Sequence, residues 1–234
     1  VQTGILYGIG VGPGDPELIT LKGLRLLKQV PVVAFPEGRG KTGMAQEIVA
    51  QWLSPHQVQL PLDFAFVRDE TLLAQAWEIA AQKVWHYLQQ GQDVAFVCEG
   101  DISFYSTFTY LAQTLQQFYP DAIVQAIPGI CSPMAAAAAL GVPLTVRHQR
   151  LAIVPALYAP DELETALDWA DVVVLMKVSS VYDRVWQILQ RRQLLKQSWV
   201  VERVALPNQV IYSDLSDRPH LQLSYFSLLI VQVK

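Results

Sequence analysis

The chain has 234 residues, of which 52% are hydrophobic and 16% charged, with a formal net charge of −4. That is enough apolar material for two small domains or one large one. No block of like charges occurs, which argues against nucleic acid as the main partner: phosphate binding needs clustered Lys and Arg, and only an RNA held by a local patch stays open.

Residues 5–7 read as a short buried strand. It runs into Gly8-Ile9-Gly10-Val11-Gly12-Pro13-Gly14-Asp15-Pro16, where Asp15 and Pro16 supply a helix cap and a first helical residue. A strand, a glycine-rich turn and a helix start together suggest a small ligand over backbone N–H groups. A dinucleotide fingerprint needs G-x-G-x-x-G, and its third slot falls on Pro13 or on Asp15. Pro13 also removes a donor that an anion would use. The turn is therefore no phosphate cradle. Its glycines allow tight turning and close approach to a ligand, with Asp15 as cap, polar contact or both.

A helix with the apolar stripe Leu18, Leu21, Leu24 and Leu27 leads to a strand over residues 30–35. Gly40-Lys41-Thr42 resembles the end of a P-loop, but the required first glycine is Phe35. Residues 44–53 read as helical and 57–60 as a strand, followed by an irregular apolar segment over 60–64. A long helix is expected over 69–90, with Leu72, Leu73, Ala76, Ile79, Ala80, Val84 and Leu88 on its apolar face and Trp77, Trp85 and Tyr87 as packing residues. Gly91 stops it, and residues 93–97 form the next buried strand.

That strand ends in Cys98-Glu99-Gly100-Asp101-Ile102-Ser103-Phe104-Tyr105-Ser106-Thr107. Carboxyl ends of strands are where open α/β sheets bind ligands. Two acids there suit a ligand with hydroxyls and positive charge, or else Asp101 caps a helix beginning near Ser103. A helix over 107–118 and a strand over 122–126 follow. Ile127-Pro128-Gly129 marks the expected domain boundary, which gives domains of 1–126 and 127–234. An alanine-rich helix over 130–140 has Cys131 and Ser132 at its start; Cys131 reads as a small buried side chain rather than a reactive thiol. Beyond it, apolar runs at 151–155, 171–176, 199–204, 209–212 and 225–233 alternate with helical runs at 161–169 and 181–189. The second domain is therefore α/β with an antiparallel or mixed sheet, and the fold class is α/β in two domains.

Cys98 and Cys131 alone cannot build a disulfide framework or a zinc site, and His56, His86, His148 and His220 are scattered, so no protein-bound metal is expected. Val1-Gln2-Thr3-Gly4 lacks the charged start of a signal peptide, and the longest apolar runs are far too short to span a bilayer. A cytoplasmic protein without a membrane partner is expected.

Three motifs in order resemble one family. They are Gly10-Val11-Gly12-Pro13-Gly14-Asp15-Pro16 with Leu21-Lys22-Gly23, Glu99-Gly100-Asp101 through Tyr105-Ser106-Thr107, and Pro128-Gly129-Ile130-Cys131-Ser132. They look like the tetrapyrrole methylases, the class III S-adenosylmethionine (SAM) enzymes, over essentially the whole chain. Phe35-Pro36, Arg68-Asp69 before Ala76-Trp77, the run from Glu99 to Thr107, and Tyr225-Phe226-Ser227-Leu228-Leu229 are similar to the branch that methylates C20 of precorrin-2 or cobalt-factor II in cobalamin biosynthesis. Glu99-Gly100-Asp101-Ile102 departs from the Gly-Gly-Asp-Pro of other branches.

The resemblance implies a two-domain α/β homodimer with SAM as methyl donor in a cleft between domains and a tetrapyrrole as substrate. By motif, it implies cofactor contacts at Pro13, Glu99, Gly100, Asp101, Ile102, Tyr105, Cys131, Ser132, Met176 and Ala205. Cys131 stands where Thr or Ser is usual. It places Gly12, Gly14 and Asp15, with Pro13 beside them, near the tetrapyrrole. Because that substrate carries carboxylates, Arg39, Lys41 and Arg68, with Arg147 and Arg150, are candidates to bind them. No catalytic residue is assigned. Methyl transfer from a sulfonium to an electron-rich meso carbon is an in-line displacement helped by orientation and exclusion of water. The C20 proton goes to a carboxylate or to the tetrapyrrole itself. Two other readings remain: a class III methyltransferase acting on another precorrin carbon, a protein or ribosomal RNA, and a non-catalytic ligand-binding scaffold.

Overall fold

In the computed structural model of the chain, the described residues are 2–38, 43–64, 70–155 and 160–234. They fall into two compact units, residues 1–131 and 132–234. In the first, β1 (Ile5–Gly10), β2 (Val32–Glu37), β3 (Val58–Asp63), β4 (Val94–Cys98) and β5 (Ile123–Ile127) alternate with α1 (Leu21–Gln29), α2 (Met44–Val49), α3 (Glu70–Leu88) and α4 (Phe108–Phe118). The sheet is entirely parallel, in the order β3-β2-β4-β1-β5.

Alternation along the strands decides which helix covers which face. Leu6, Val32, Ala34, Val94 and Phe96 pack with residues of α3 and α4. Ile9, Val33, Phe35, Ala95 and Val97 pack with residues of α1 and α2 on the other face. Full burial of a side chain such as Phe96 contributes about 1.5–3 kcal/mol. The chain leaves β1 toward one face and its neighbour β4 toward the opposite face. Their carboxyl ends are therefore a topological switch point, where open α/β sheets bind ligands.

The second unit holds α5 (Ser132–Leu140), β6 (Leu151–Pro155), α6 (Pro160–Trp169), β7 (Val172–Met176), α7 (Tyr182–Arg191), β8 (Ser198–Glu202), β9 (Val210–Ser213) and β10 (Ser227–Gln232). Its sheet runs β6-β7-β10-β8-β9, parallel between β6 and β7 and antiparallel elsewhere. The expected mixed sheet is present. Leu163, Leu167, Val185 and Leu189 cover it with Val173, Leu175, Val200 and Leu229 beneath. Arg192 reaches Glu164 and Asp168 at 2.7 and 2.8 Å and ties α7 to α6.

Three expectations change. Asp15 caps only a three-residue 3-10 turn, its carboxylate accepting from the Glu17 N–H at 2.9 Å. The following helix starts afresh with Thr20 as its cap, so α1 buries Gly23, Leu26 and Leu27 and leaves Leu21 87% exposed. The segment read as irregular after residue 60 is strand: β3 continues through Pro61 to Asp63, which an edge strand tolerates because one side of its ladder needs no N–H. On α3 the buried face is Ala80, Ala81, Val84 and Leu88, while Leu72 and Ile79 are exposed. Trp77 lies against Phe64 and Tyr110, and Trp85 stacks on Tyr119, as packing residues do.

Candidate active site

At the switch point, three turns press their backbones together. Val11 N–H donates to the Cys98 carbonyl at 2.9 Å, Gly12 N–H to the Gly100 carbonyl at 3.2 Å, and Gly100 N–H to the Gly12 carbonyl at 2.7 Å. The turn after β5 closes the group. A Cβ on Gly129 would lie 2.3 Å from the Gly100 carbonyl oxygen and 2.7 Å from the Gly10 carbonyl. Only glycine fits. Gly100 has φ +71°, and the place its Cβ would take is open, with Cys131 Cα the nearest atom at 3.9 Å.

Asp101 joins these turns. Its Oδ1 accepts from the Ser103 N–H at 2.9 Å and the Ser103 hydroxyl at 2.5 Å, and its Oδ2 accepts from the Gly129 N–H at 2.8 Å. Burial raises its pKa, but the Ser103 hydroxyl and the amides of Gly129, Ser103 and Ile102 outweigh burial and hold the carboxyl below the usual carboxylate range. Asp101 is therefore ionised at neutral pH. It does not cap a helix: α4 begins at Phe108, where Ser106 Oγ accepts from the Phe108 N–H at 3.1 Å. The Ser106 hydroxyl also donates to Cys98 Sγ at 3.1 Å. Burial pushes the Cys98 thiol up, so it stays protonated. Tyr105 holds φ +52° and leaves its ring half exposed beside Phe104. A bulky residue in that region is strained and needs surrounding structure to hold it.

In the second unit, residues with side chains take positive φ at one end of the sheet: Lys177 (57°), Arg203 (51°) and Ala205 (60°). This is the carboxyl end of β7 and β8, where Met176 pairs with Leu228 and Glu202 with Ser227. Arg203 N–H donates to the Phe226 carbonyl at 2.7 Å, and the Ala205 N–H donates to Gln209 Oε1 at 2.8 Å. Buried Glu202 accepts from the Ser224 N–H at 2.9 Å and pairs with Arg203 at 3.1 Å. Lys177 Nζ sits 5.0 Å from the Tyr225 ring centroid. The buried hydroxyl oxygens of Ser224 and Ser227 have no hydrogen-bond partner among the described residues, which is the state of groups that await a ligand or water.

The structure thus brings Gly12, Pro13, Gly14 and Asp15 to the end of β1, and Glu99, Gly100, Asp101, Ile102 and Tyr105 to the end of β4. Ile102 is buried in the core of the first unit. Cys131 ends that unit and Ser132 opens α5. Pro128 and Gly129 belong to the first unit because Asp101 and the close glycine packing hold them there. Met176 and Ala205 share the end of the second sheet. Arg39, Lys41 and Arg68 lie outside the described residues. Arg150 is engaged within its own unit, its backbone N–H at 2.7 Å and Nε at 3.3 Å from Asp171 Oδ2. Sequence reasoning quoted Ser103 and Ser106 within a motif but gave neither a role in the group. An Asp-x-Ser turn beside the glycines was the available signal.

The three turns contain Glu99, Asp101 and Asp15 but no Lys or Arg. With an open space over Gly100, these turns fit a cationic ligand bearing hydroxyl and amino groups, as SAM does.

A parallel α/β sheet with glycines packed at its switch point, followed by a mixed α/β unit, has the architecture of open-sheet proteins that bind small molecules at that point. The chain matches the tetrapyrrole (corrin/porphyrin) methylases over residues 5–218, and it belongs to that family. It is 30% identical over 239 residues to a precorrin-2 C(20)-methyltransferase of a Sinorhizobium species, covering 99% of this chain and 96% of that one. Against a cobalt-precorrin-2 C(20)-methyltransferase of Salmonella typhimurium it is 30% identical, covering 98% and 97%. It is 31% identical to the cobalamin biosynthesis protein CobIJ of Mycobacterium bovis, over 96% of this chain, and spans about half the length of that relative, 45%. Among solved structures, a cobalt precorrin-4 methyltransferase, CbiF, superposes with a TM-score of 0.74 at 22% identity, covering 98% of this chain and 95% of that one. A uroporphyrin-III C-methyltransferase of Thermus thermophilus, complexed with S-adenosyl homocysteine, gives a TM-score of 0.69 at 22% identity, covering 97% of each chain. These two speak for the fold.

Proposed function

We propose that this chain is a SAM-dependent C-methyltransferase that places a methyl group on C20 of precorrin-2, or of its cobalt complex, in cobalamin biosynthesis. What carries the reading is similarity over nearly the whole of both chains to C20-methyltransferases of both the metal-free and the cobalt kind. It is supported by an intact glycine-lined switch point.

When bound, SAM supplies a methyl group activated by a positively charged sulfonium. The chain's part is to hold and aim the reactants. Gly100, Ile102 and Tyr105 offer contacts beside the open space over residue 100, with Asp101 in the same group of turns. Pro13, Glu99, Cys131, Ser132, Met176 and Ala205 complete the proposed cofactor set. Gly12, Gly14 and Asp15 face the tetrapyrrole, whose carboxylates call for cations; Arg39, Lys41 and Arg68 supply them. Orientation and exclusion of water provide most of the acceleration, since an in-line displacement on a sulfonium needs no activated nucleophile from the protein. The domains divide functionally near the chain's Ile127-Pro128-Gly129 segment. The active form is a homodimer working in the cytoplasm on a small molecule, without nucleic acid or membrane.

Anaerobic incubation with SAM and either precorrin-2 or cobalt-factor II, followed by mass spectrometry, tests this. One added methyl on one of the two substrates is expected. Binding of SAM without methylation of either would keep the cofactor and remove the substrate.

A further inference from the structure

We infer that Asp101 is a positioning residue: its carboxylate clasps the turn after β4 to the turn after β5, and acts on SAM binding by fixing that geometry rather than by touching the cofactor. The inference rests on the SAM-binding reading above and gives one member of that site its mode of action.

Both carboxylate oxygens are already committed within the protein, Oδ1 to the Ser103 N–H and hydroxyl and Oδ2 to the Gly129 N–H. The bond to Gly129 spans 28 positions of sequence and joins two loops that no strand pairing connects beyond Ile127. It holds Gly129 where no Cβ could stand, against the carbonyls of Gly100 and Gly10. Gly100 is in turn tied to Gly12 by two backbone bonds. One carboxylate thereby fixes the turns after β1, β4 and β5 as a single body. A second side-chain bond to the last turn, from Thr20 Oγ1 to the Pro128 carbonyl, is long at 3.5 Å and exposed. It cannot replace the clasp.

The chemistry of the clasp separates this role from simple contact. It needs an acceptor on each side, and only a carboxylate offers two. Asn has the same shape, but if its carbonyl takes Ser103, its NH₂ faces the Gly129 N–H, donor against donor. An isosteric Asp101→Asn change therefore breaks the clasp as thoroughly as Asp101→Ala. Ser103→Ala, at an exposed residue, removes one donor and weakens it in part.

The experiment has two readouts on purified protein. The first is amide hydrogen exchange at Gly129 by NMR without any ligand. The second is titration with S-adenosylhomocysteine, together with KM for SAM and kcat in turnover. In Asp101→Asn and Asp101→Ala alike, Gly129 loses exchange protection. Affinity falls roughly 10- to 100-fold, the worth of a hydrogen bond to a charged group, with kcat at saturation changed less than about threefold. Ser103→Ala loses roughly 2- to 10-fold, and adding it to Asp101→Ala costs nothing more, as expected for two members of one network. Asp101→Glu, which keeps both acceptors, retains more affinity than Asp101→Ala. Unchanged Gly129 protection together with lost affinity overturns the inference in favour of direct contact, and unchanged affinity overturns it outright. If the wild-type protein binds no S-adenosylhomocysteine, the SAM reading falls and the functional half of this inference with it, while Gly129 exchange still reports on the clasp itself. Should Asp101 variants melt early, Ser103→Ala carries the test.

Discussion

The ends of the two sheets reach the same goal, an irregular backbone held open beside a sheet, by opposite means. In the first unit, glycine supplies it: Gly10, Gly100 and Gly129 let three turns touch, and one carboxylate locks them. In the second, Lys177, Arg203 and Ala205 hold positive φ despite their side chains, secured by hydrogen bonds such as Arg203 N–H to the Phe226 carbonyl. The first device is steric and fails when a side chain is added. The second stores strain, which hydrogen bonds and packing must outweigh.

Adding a Cβ at the first end gives the largest effect. Gly129→Ala places its methyl 2.3 Å from the Gly100 oxygen, against backbone that cannot turn aside. We expect a loss of about 3 kcal/mol in chemical denaturation, the upper part of the overpacking range. A loss under about 0.5 kcal/mol would mean the turns are not locked. Removing a Cβ at the second end does the reverse. Ala205→Gly relieves the left-handed strain, roughly 1–2 kcal/mol, and offsets it with the entropy of a freer unfolded chain. Stability unchanged or raised by up to about 1 kcal/mol is expected. Clear destabilisation would break the comparison.

The carboxylate lock adds a pH dependence. Hydrogen bonds hold the folded pKa of Asp101 below its ordinary value, so its stabilisation is fully present above that value and is lost as pH falls through the lower, folded one. Thermal melts of Asp101→Asn should fall less steeply than wild type as the pH drops below about 4. Parallel acid limbs would remove Asp101 from the account. The smallest effect lies away from both ends. Arg192→Ala breaks the exposed pairs to Glu164 and Asp168 and should cost roughly 0.2–1 kcal/mol, shrinking as salt is added.

The glycine end was legible in the sequence because glycine at Gly10, Gly12, Gly100 and Gly129 has few other reasons to recur beside strands. The buried strands of the first unit were legible for a similar reason, since fully apolar runs such as Val94–Cys98 are what burial on both faces demands, while their parallel order was not read. What could not be read was any feature set by tertiary packing. Nothing in Lys177, Arg203 or Ala205 announces a positive φ. Leu21 was placed on a buried stripe because Asp15-Pro16 imitates a helix start, whereas Thr20 provides the cap of α1. Pro61 hid the continuation of β3, since its place at the sheet edge is a property of strand order and not of local sequence. Asp101 was read as a ligand contact or as the cap of a helix near Ser103; its bond to Gly129 could not be read, because that partner is distant in the chain and only folding brings them together.

The central claim is the site of methylation. Turnover with SAM carrying a ¹³C-labelled methyl group, on precorrin-2 and on cobalt-factor II in separate anaerobic reactions, reads it directly by NMR of the product. A single labelled methyl bonded to C20 is the predicted result, and the better substrate of the two defines the metal state. A label at any other ring carbon, or transfer to neither tetrapyrrole by a protein that binds SAM, would contradict it.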